Sequence, residues 1–427
     1  MFALGVGGAV NNDDTDIQSK DRNVLIVENL LRNVREDYTR DPAMPFSSAS
    51  FAAVPRSTGI SSLTLVTVSE TSYIGADVHD VGAFGDTCNV LAEILDQYKD
   101  CLRYLNTYFY TNANLLMALH RSQRRLLRLS MRAHNNELHH LCEATDYRCS
   151  ALSLTDLKLH CVVVDTPQEV LAISPRVFPH LRRLALEIVA VLSEEGLGDE
   201  SQPLVRMLDQ EWPRLRALEL SYMNDELAFK ISRNVPNLIT LKAGRGWGWF
   251  HGQSTFPFSG SLSLSNAGIL ALVGRLTCLR TLAIEHHHAM EYSIDERLLS
   301  PDASRTDGKP TPARWACADL SQLSLGHYAV PLQHLAELLK RAPLLEVLSV
   351  QIDSNNTSPA VLDKVGQHSL VRSLCIVNNM DMLHFTITKA ILRKFPNVRK
   401  VIFKGNYQRR DFEVLKEALP NIIFIIN

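Results

Sequence analysis

Leu181-Arg-Arg-Leu184-Ala-Leu186, Leu215-Arg-Ala-Leu218-Glu-Leu220 and Leu320-Ser-Gln-Leu323-Ser-Leu325 share one pattern: apolar, two free residues, apolar, one free residue, apolar. The pattern recurs with first residues Ile60, Leu102, Leu126, Leu154, Leu181, Leu215, Leu238, Leu279, Leu320, Leu345, Val371, Val398 and Ile422. Successive openings are 42, 24, 28, 27, 34, 23, 41, 41, 25, 26, 27 and 24 residues apart. Eight of these steps fall between 23 and 28, so the spacing is a period with a few long exceptions.

A period of that length with this strand pattern defines a leucine-rich repeat. The expected fold is α/β: a curved solenoid of about 13 degenerate units over residues 60–427, with a concave parallel sheet and convex helices. Residues 1–59 do not follow the pattern. Val24–Val34 reads as one helix, and the region is expected to act as a cap or the remnant of something larger, because an end repeat needs a cover. The 427 residues need no division into several cores, since each repeat packs on its neighbours and the core grows lengthwise.

Composition narrows the function classes. A hydrophobic fraction of 46% fits a folded chain, and a net charge of −2 gives no general attraction to nucleic acid or anionic lipid. No apolar run approaches the roughly 20 residues of a membrane helix, and the apolar start Met1–Val10 lacks the basic residues of a secretory leader. The eight cysteines lack framework spacing, and Cys101, Cys278 and Cys375 fall at or beside the strand motifs. They read as small buried hydrophobes in a reducing compartment, which places the protein in the cytoplasm or nucleus.

Proline marks six of the junctions where a helix gives way to a strand: Pro179, Pro213, Pro236, Pro343, Pro396 and Pro420. It cannot continue a helix, and it biases its predecessor toward extended backbone. The preceding stretches are amphipathic, as in Leu332, Leu335, Leu338 and Leu339. Side chains alternate along a strand, so Leu218 and Leu220 point inward while Ala217 and Glu219 point out. The same count places Arg128, Ser130, Arg132, Asp156, Lys158, His160, Arg183, Ala185, Lys242, Gln322 and Ser324 on the concave face. The asparagine expected eight residues after the first leucine occurs as Asn379 and Asn406, with Asp353 in its place in another unit.

Signatures of chemistry are weak. Gly5-Val-Gly-Gly8 follows no evident strand and lacks the Lys-Ser/Thr of a phosphate loop. His139, His140, Cys142, Cys149, His160 and Cys161 lack the paired spacing of structural zinc, and His286-His287-His288 reads as a solvated turn, so no metal site is expected. No paired carboxylates, nucleophile elbow or His/Cys dyad appears at motif spacing; no enzyme activity and no cofactor are expected.

Two stretches point to recognition instead. Arg121, Arg124, Arg125, Arg128 and Arg132 lie within twelve residues. They form either a solvated face or a dock for an acidic segment or phosphate. The insertion Arg245-Gly-Trp247-Gly-Trp249-Phe250-His251 concentrates aromatic side chains of the kind that anchor interfaces, or that fold back to shield a core edge. The expected partner-binding residues are therefore Arg128, Arg132, Lys158, Arg183, Glu219, Lys242, Trp247, Trp249 and Phe250.

The strand pattern joined to its proline launch, as in Phe178-Pro-His-Leu-Arg-Arg-Leu184, Trp212-Pro-Arg-Leu-Arg-Ala-Leu218, Val235-Pro-Asn-Leu-Ile-Thr-Leu241 and Phe395-Pro-Asn-Val-Arg-Lys-Val401, resembles the repeat regions of fungal F-box-type proteins. In that family an F-box docks Skp1 within a cullin ubiquitin ligase and the repeats hold the substrate. The Leu-Pro-x-Glu opening of an F-box is absent from residues 1–59. The resemblance implies non-enzymatic protein recognition on the concave face, as the substrate-binding part of an F-box-like adaptor, with Skp1 and a cullin as partners if an F-box-like N-terminus is present. The alternative is a freestanding scaffold or inhibitor. Regulation of a small GTPase through an arginine is the third reading. Neither nucleic acid nor a membrane is expected as a partner.

Overall fold

The computed structural model describes residues 2–5, 62–67, 92, 103–110, 118, 126–135, 138–139, 153–164, 171–186, 189–193, 196–197, 201–220, 223–244, 264–284, 292–294, 298, 315–353, 367–378, 385–405 and 409–426. The chain divides into two compact units, Met1–Gln210 and Glu211–Asn427. Each is an α/β leucine-rich repeat array.

In the first unit the strands are β1 (Phe2–Gly5), β2 (Ser62–Thr67), β3 (Tyr104–Tyr110), β4 (Arg128–His134), β5 (Asp156–Val164), β6 (Arg183–Leu186), β7 (Val189–Ser193) and β8 (Gly196–Leu197), followed by helix α1 (Ser201–Met207). Strands β2 to β6 pair in parallel and in sequence order. Two antiparallel pairings depart from this: β1 on β2, and β7 on β8. A strand thus does end at Gly5, contrary to the sequence reading. It joins the sheet antiparallel, and the residues that follow it lie outside the described ones.

The second unit runs β9 (Ala217–Leu220), α2 (Asp225–Asn234), β10 (Thr240–Ala243), α3 (Asn266–Arg275), β11 (Thr281–Ile284), β12 (Tyr292–Ser293), β13 (Gln322–Pro331), α4 (Leu332–Arg341), β14 (Val347–Asp353), β15 (Ser373–Asn378), α5 (Phe385–Arg393), β16 (Lys400–Gly405), α6 (Arg409–Ala418) and β17 (Ile423–Ile426). Parallel neighbours need a crossover, and α2 to α6 supply it between β9 and β10, β10 and β11, β13 and β14, β15 and β16, and β16 and β17. The register is strict. Leu218, Leu241, Leu282, Leu323, Leu348, Leu374 and Val401 align across seven strands. Leu220, Ala243, Ile284, Leu325, Val350, Ile376 and Phe403 form the next inward row, and no member of either row is more than 1% exposed. Each fully buried leucine contributes about 2 kcal/mol, so these rows are the core, completed by helix stripes such as Leu227, Ile231, Leu335 and Leu338.

The launch into β9, β10, β11, β14 and β16 is a tight turn. Leu215 N–H reaches Trp212 O, Leu238 reaches Val235, Leu279 reaches Leu276, Leu345 reaches Ala342 and Val398 reaches Phe395, all at 3.1–3.3 Å. Pro213, Pro236, Pro343 and Pro396 therefore sit at the second turn position, where a fixed φ near −65° fits. One carbonyl of each launch then holds two successive amides of the next repeat. Arg216 O accepts from Ile239 and Thr240 (2.8 and 2.9 Å), Ile239 O from Arg280 and Thr281 (2.8 and 3.0 Å), and Arg280 O from Ser321 and Gln322 (both 2.9 Å).

Cys278 occupies the third position of its launch turn and is exposed. The sequence reading had it buried; the turn directs it to solvent. Cys317 and Cys375 are buried. Among the described residues no helix is long and apolar enough to cross a membrane.

Candidate binding face of the sheet

Opposite the leucine rows, each strand presents its alternate residues. In the first unit the outermost row is Tyr104, Arg128, Asp156 and Arg183, aligned across β3 to β6. The second row is Asn106, Ser130, Lys158 and Ala185. The Arg128 guanidinium carbon lies 5.1 Å from the centroid of the Tyr104 ring, on the negative face of its π system. Its Nε lies 3.6 Å from Asp156 Oδ2, and the Arg128 side chain is 65% exposed. Thr155 Oγ1, 2.9 Å away, also reaches that carboxylate oxygen. A half-buried tyrosine and a half-buried aspartate thus flank one exposed guanidinium at the sheet surface. Arg183 is exposed at the far end of the row, and Lys158 is half-buried in the row behind.

His160 differs from its expected placement. Met131 pairs with Leu159 but Arg132 pairs with Cys161, so β5 carries His160 as an extra residue. The ring is buried and its Nε2 lies 2.7 Å from Ser130 Oγ. A bulge reverses the faces beyond it, which is why Val162 and Val164 are both fully buried. Arg132 keeps its strand position two beyond Ser130; its side chain lies outside the described residues. Among the described residues no cluster of three His, Cys, Asp or Glu side chains is arranged to hold a metal.

In the second unit one outward row reads Ala217, Thr240, Thr281, Gln322, Val347, Ser373, Lys400 and Ile423. The other reads Glu219, Lys242, Ala283, Ser324, Ser349, Cys375, Ile402 and Ile425. Glu219 Oε1 and Lys242 Nζ pair at 3.4 Å, each side chain about three-quarters buried. Ala283, Ser324, Ser349 and Cys375 are buried although they point outward. Ala185 in the first unit behaves alike, because a small side chain between larger neighbours is covered without leaving its face. The row from Glu219 to Ile425 is therefore smooth beyond its first two strands, where its charge lies, and the neighbouring row carries Lys400.

The structure brings Arg128, Lys158 and Arg183 onto one face of the first unit, and Glu219 beside Lys242 in the second. Trp247, Trp249 and Phe250 lie outside the described residues. The sequence reading missed Tyr104, which stands two residues after Leu102 as Arg128 stands two after Leu126. The repeat count itself carried that signal. It also missed Asn135, a buried residue whose Oδ1 accepts the N–H of Ala172 at 3.0 Å, the turn-satisfying task expected one residue earlier at His134.

No family model matches the chain, and no curated protein matches it. Among solved structures the chain is similar to one in the crystal structure of the Rad7 and Elc1 complex in yeast, at 10% identity over 98% of this chain and 98% of that one, with a TM-score of 0.36.

Proposed function

We propose that the protein is a non-enzymatic recognition module that holds a protein partner against the outward rows of its parallel sheets. The observation that supports this reading is the division of labour within β9, β10, β11 and β13 to β16: inward positions are sealed core, while outward positions in register vary in charge and size. Such a surface gives an extended, rigid array of side chains without cost to the fold. The adaptor version, in which the partner is a substrate for ubiquitin ligation, rests on the resemblance of the strand-launch motif to F-box-type repeat regions. A freestanding scaffold is the other form of the same reading.

The test is affinity purification of the full chain from its native cells with mass spectrometry, alongside outward-face variants Arg183→Glu and Lys400→Glu and the turn variant Leu344→Ser. Partners are expected to be lost with at least one outward-face change and retained with Leu344→Ser. Recovery of Skp1 and a cullin identifies an adaptor; their reproducible absence identifies a scaffold. Retention of every partner by all outward-face variants overturns the reading.

A further inference from the structure

We propose that the first unit docks an acidic peptide segment, with two carboxylates straddling Asp156 and contacting Arg128 and Arg183, and Lys158 supplying charge from the row behind. The inference rests on the recognition role above and names the class of partner for this face. Among the described outward positions of β3 to β6, three are cationic (Arg128, Lys158, Arg183) and one is anionic (Asp156). That local excess is a property of these described positions, on a chain whose overall charge is −2.

Geometry selects the anion. Arg128, Asp156 and Arg183 are direct register partners on consecutive strands. Strands lie about 4.8 Å apart, so the two arginine backbones stand about 10 Å apart with the aspartate midway. A dianionic group placed between the arginines would meet Asp156 head-on. Two single carboxylates placed outside it meet guanidinium forks and keep their distance from the aspartate. The alternation of positive, negative and positive also leaves room for a basic residue between the partner's two acids.

Arg128 is prepared for this role. Tyr104 supports its guanidinium at 5.1 Å, and Asp156 restrains its Nε at 3.6 Å, a long, solvent-exposed contact that an incoming carboxylate can share. Rigid arrangement before binding lowers the ordering cost of a charged contact.

The experiment uses the full chain and a fluorescein-labelled peptide of repeating Glu-Gly-Ser units, followed by fluorescence anisotropy. Its Gln-Gly-Ser and phosphoserine counterparts and an oligodeoxythymidine are run in parallel. Saturable binding of the glutamate peptide is expected, weakening as salt rises and falling about tenfold or more in the R128E/R183E variant. Asp156→Asn is expected to bring the phosphoserine peptide closest to the glutamate peptide in affinity. Circular dichroism of R128E/R183E shows whether it is folded; if it is not, Arg128→Gln and Arg183→Gln carry the comparison.

Equal binding by the folded variant overturns the proposal, as does absence of saturable binding. Tighter binding of the phosphoserine peptide or the oligodeoxythymidine by the unmodified chain overturns it in favour of those ligands. The broader recognition role fails separately. If cellular partners survive R128E/R183E but are lost with Lys400→Glu, recognition stands and the acidic class falls.

Discussion

Cys278 and Cys317 show how position within the repeat governs chemistry. Cys278 is an exposed turn residue, whereas burial pushes the Cys317 thiol up to about 12, with a smaller opposing effect from its own backbone. Thiolate is the reactive form. Brief iodoacetamide treatment at neutral pH is therefore expected to modify the Cys278 peptide and spare the Cys317 peptide until the protein is denatured, as read by peptide mass mapping. His368 gives a second prediction. Burial lowers its pKa below the usual 6.5, with backbone interactions from Leu339 and Ala342 pulling the other way, and its Nδ1 is buried without a hydrogen-bond partner. The unfolded chain therefore takes up this proton first as pH falls. The stabilisation is complete above the ordinary histidine pKa of about 6.5 and is lost as pH drops through the lower folded value. Thermal melts between pH 7.5 and 5 are expected to lose less for His368→Gln than for the unmodified protein. None of these states was legible in sequence: Cys278 stands third and Cys317 first in their respective launch turns, and His368 is set by its burial.

At the scale of elements, helix ends and turns fit closely. Asn224 Oδ1 accepts the N–H of Leu227 at 2.9 Å and caps α2. The next residue, Asp225, crosses to α3, accepting from both the N–H and the hydroxyl of Ser265 at 2.7 Å. Gly268, in the first turn of α3, lies directly against that carboxylate. A Cβ there would collide with Asp225 Oδ1 and Leu264 Cδ1 and stand 3.3 Å from the Ala228 Cβ. Alanine in place of helical glycine ordinarily gains about 0.5–1 kcal/mol. Here crowding decides the sign, and Gly268→Ala is expected to destabilise by about 1–3 kcal/mol in urea titrations, with partial rescue when combined with Asp225→Ala. Launch turns are stapled as well: the Asn237 amide donates to Pro213 O and the Asn397 amide to Ser369 O, both at 2.8 Å. The proline launches and inward leucines could be read from sequence because each follows from a fixed spacing. The bulge at His160 could not. It inserts one residue without altering composition or apolar content, yet it exchanges the two faces for the rest of β5. Tyr328 eluded the count in the same way; irregular pairing after Leu325 buries it, with its hydroxyl donating to Leu264 O at 2.7 Å.

For the whole molecule, the rows of the second unit form a nearest-neighbour chain of interactions. Leu348 packs in register between Leu323 and Leu374. Leu348→Ala is expected to cost about 2–5 kcal/mol and to loosen the repeats on both sides, because each unit draws its stability from its neighbours. All four tryptophans, Trp212, Trp247, Trp249 and Trp315, fall after Glu211, so intrinsic fluorescence reports on this unit. The check is a lower urea midpoint by that probe. Fold class was plain in the sequence because thirteen copies of one pattern average out their individual degeneracy. The partner was not, because outward positions are the ones the pattern leaves free. The same register has an evolutionary meaning. Thr240, Thr281 and Gln322 are separated by 41 residues at each step, whereas Gln322 and Val347 are separated by 25, and all four stand as immediate partners. The sheet counts strands and is indifferent to how much chain runs between them. Doubling a connection costs only about 0.6 kcal/mol in closure entropy. Insertions and deletions between strands are then nearly neutral to folding, and descendants of this gene are free to lengthen, trim or exchange those segments as they acquire new partners, while strand spacing stays under tight selection.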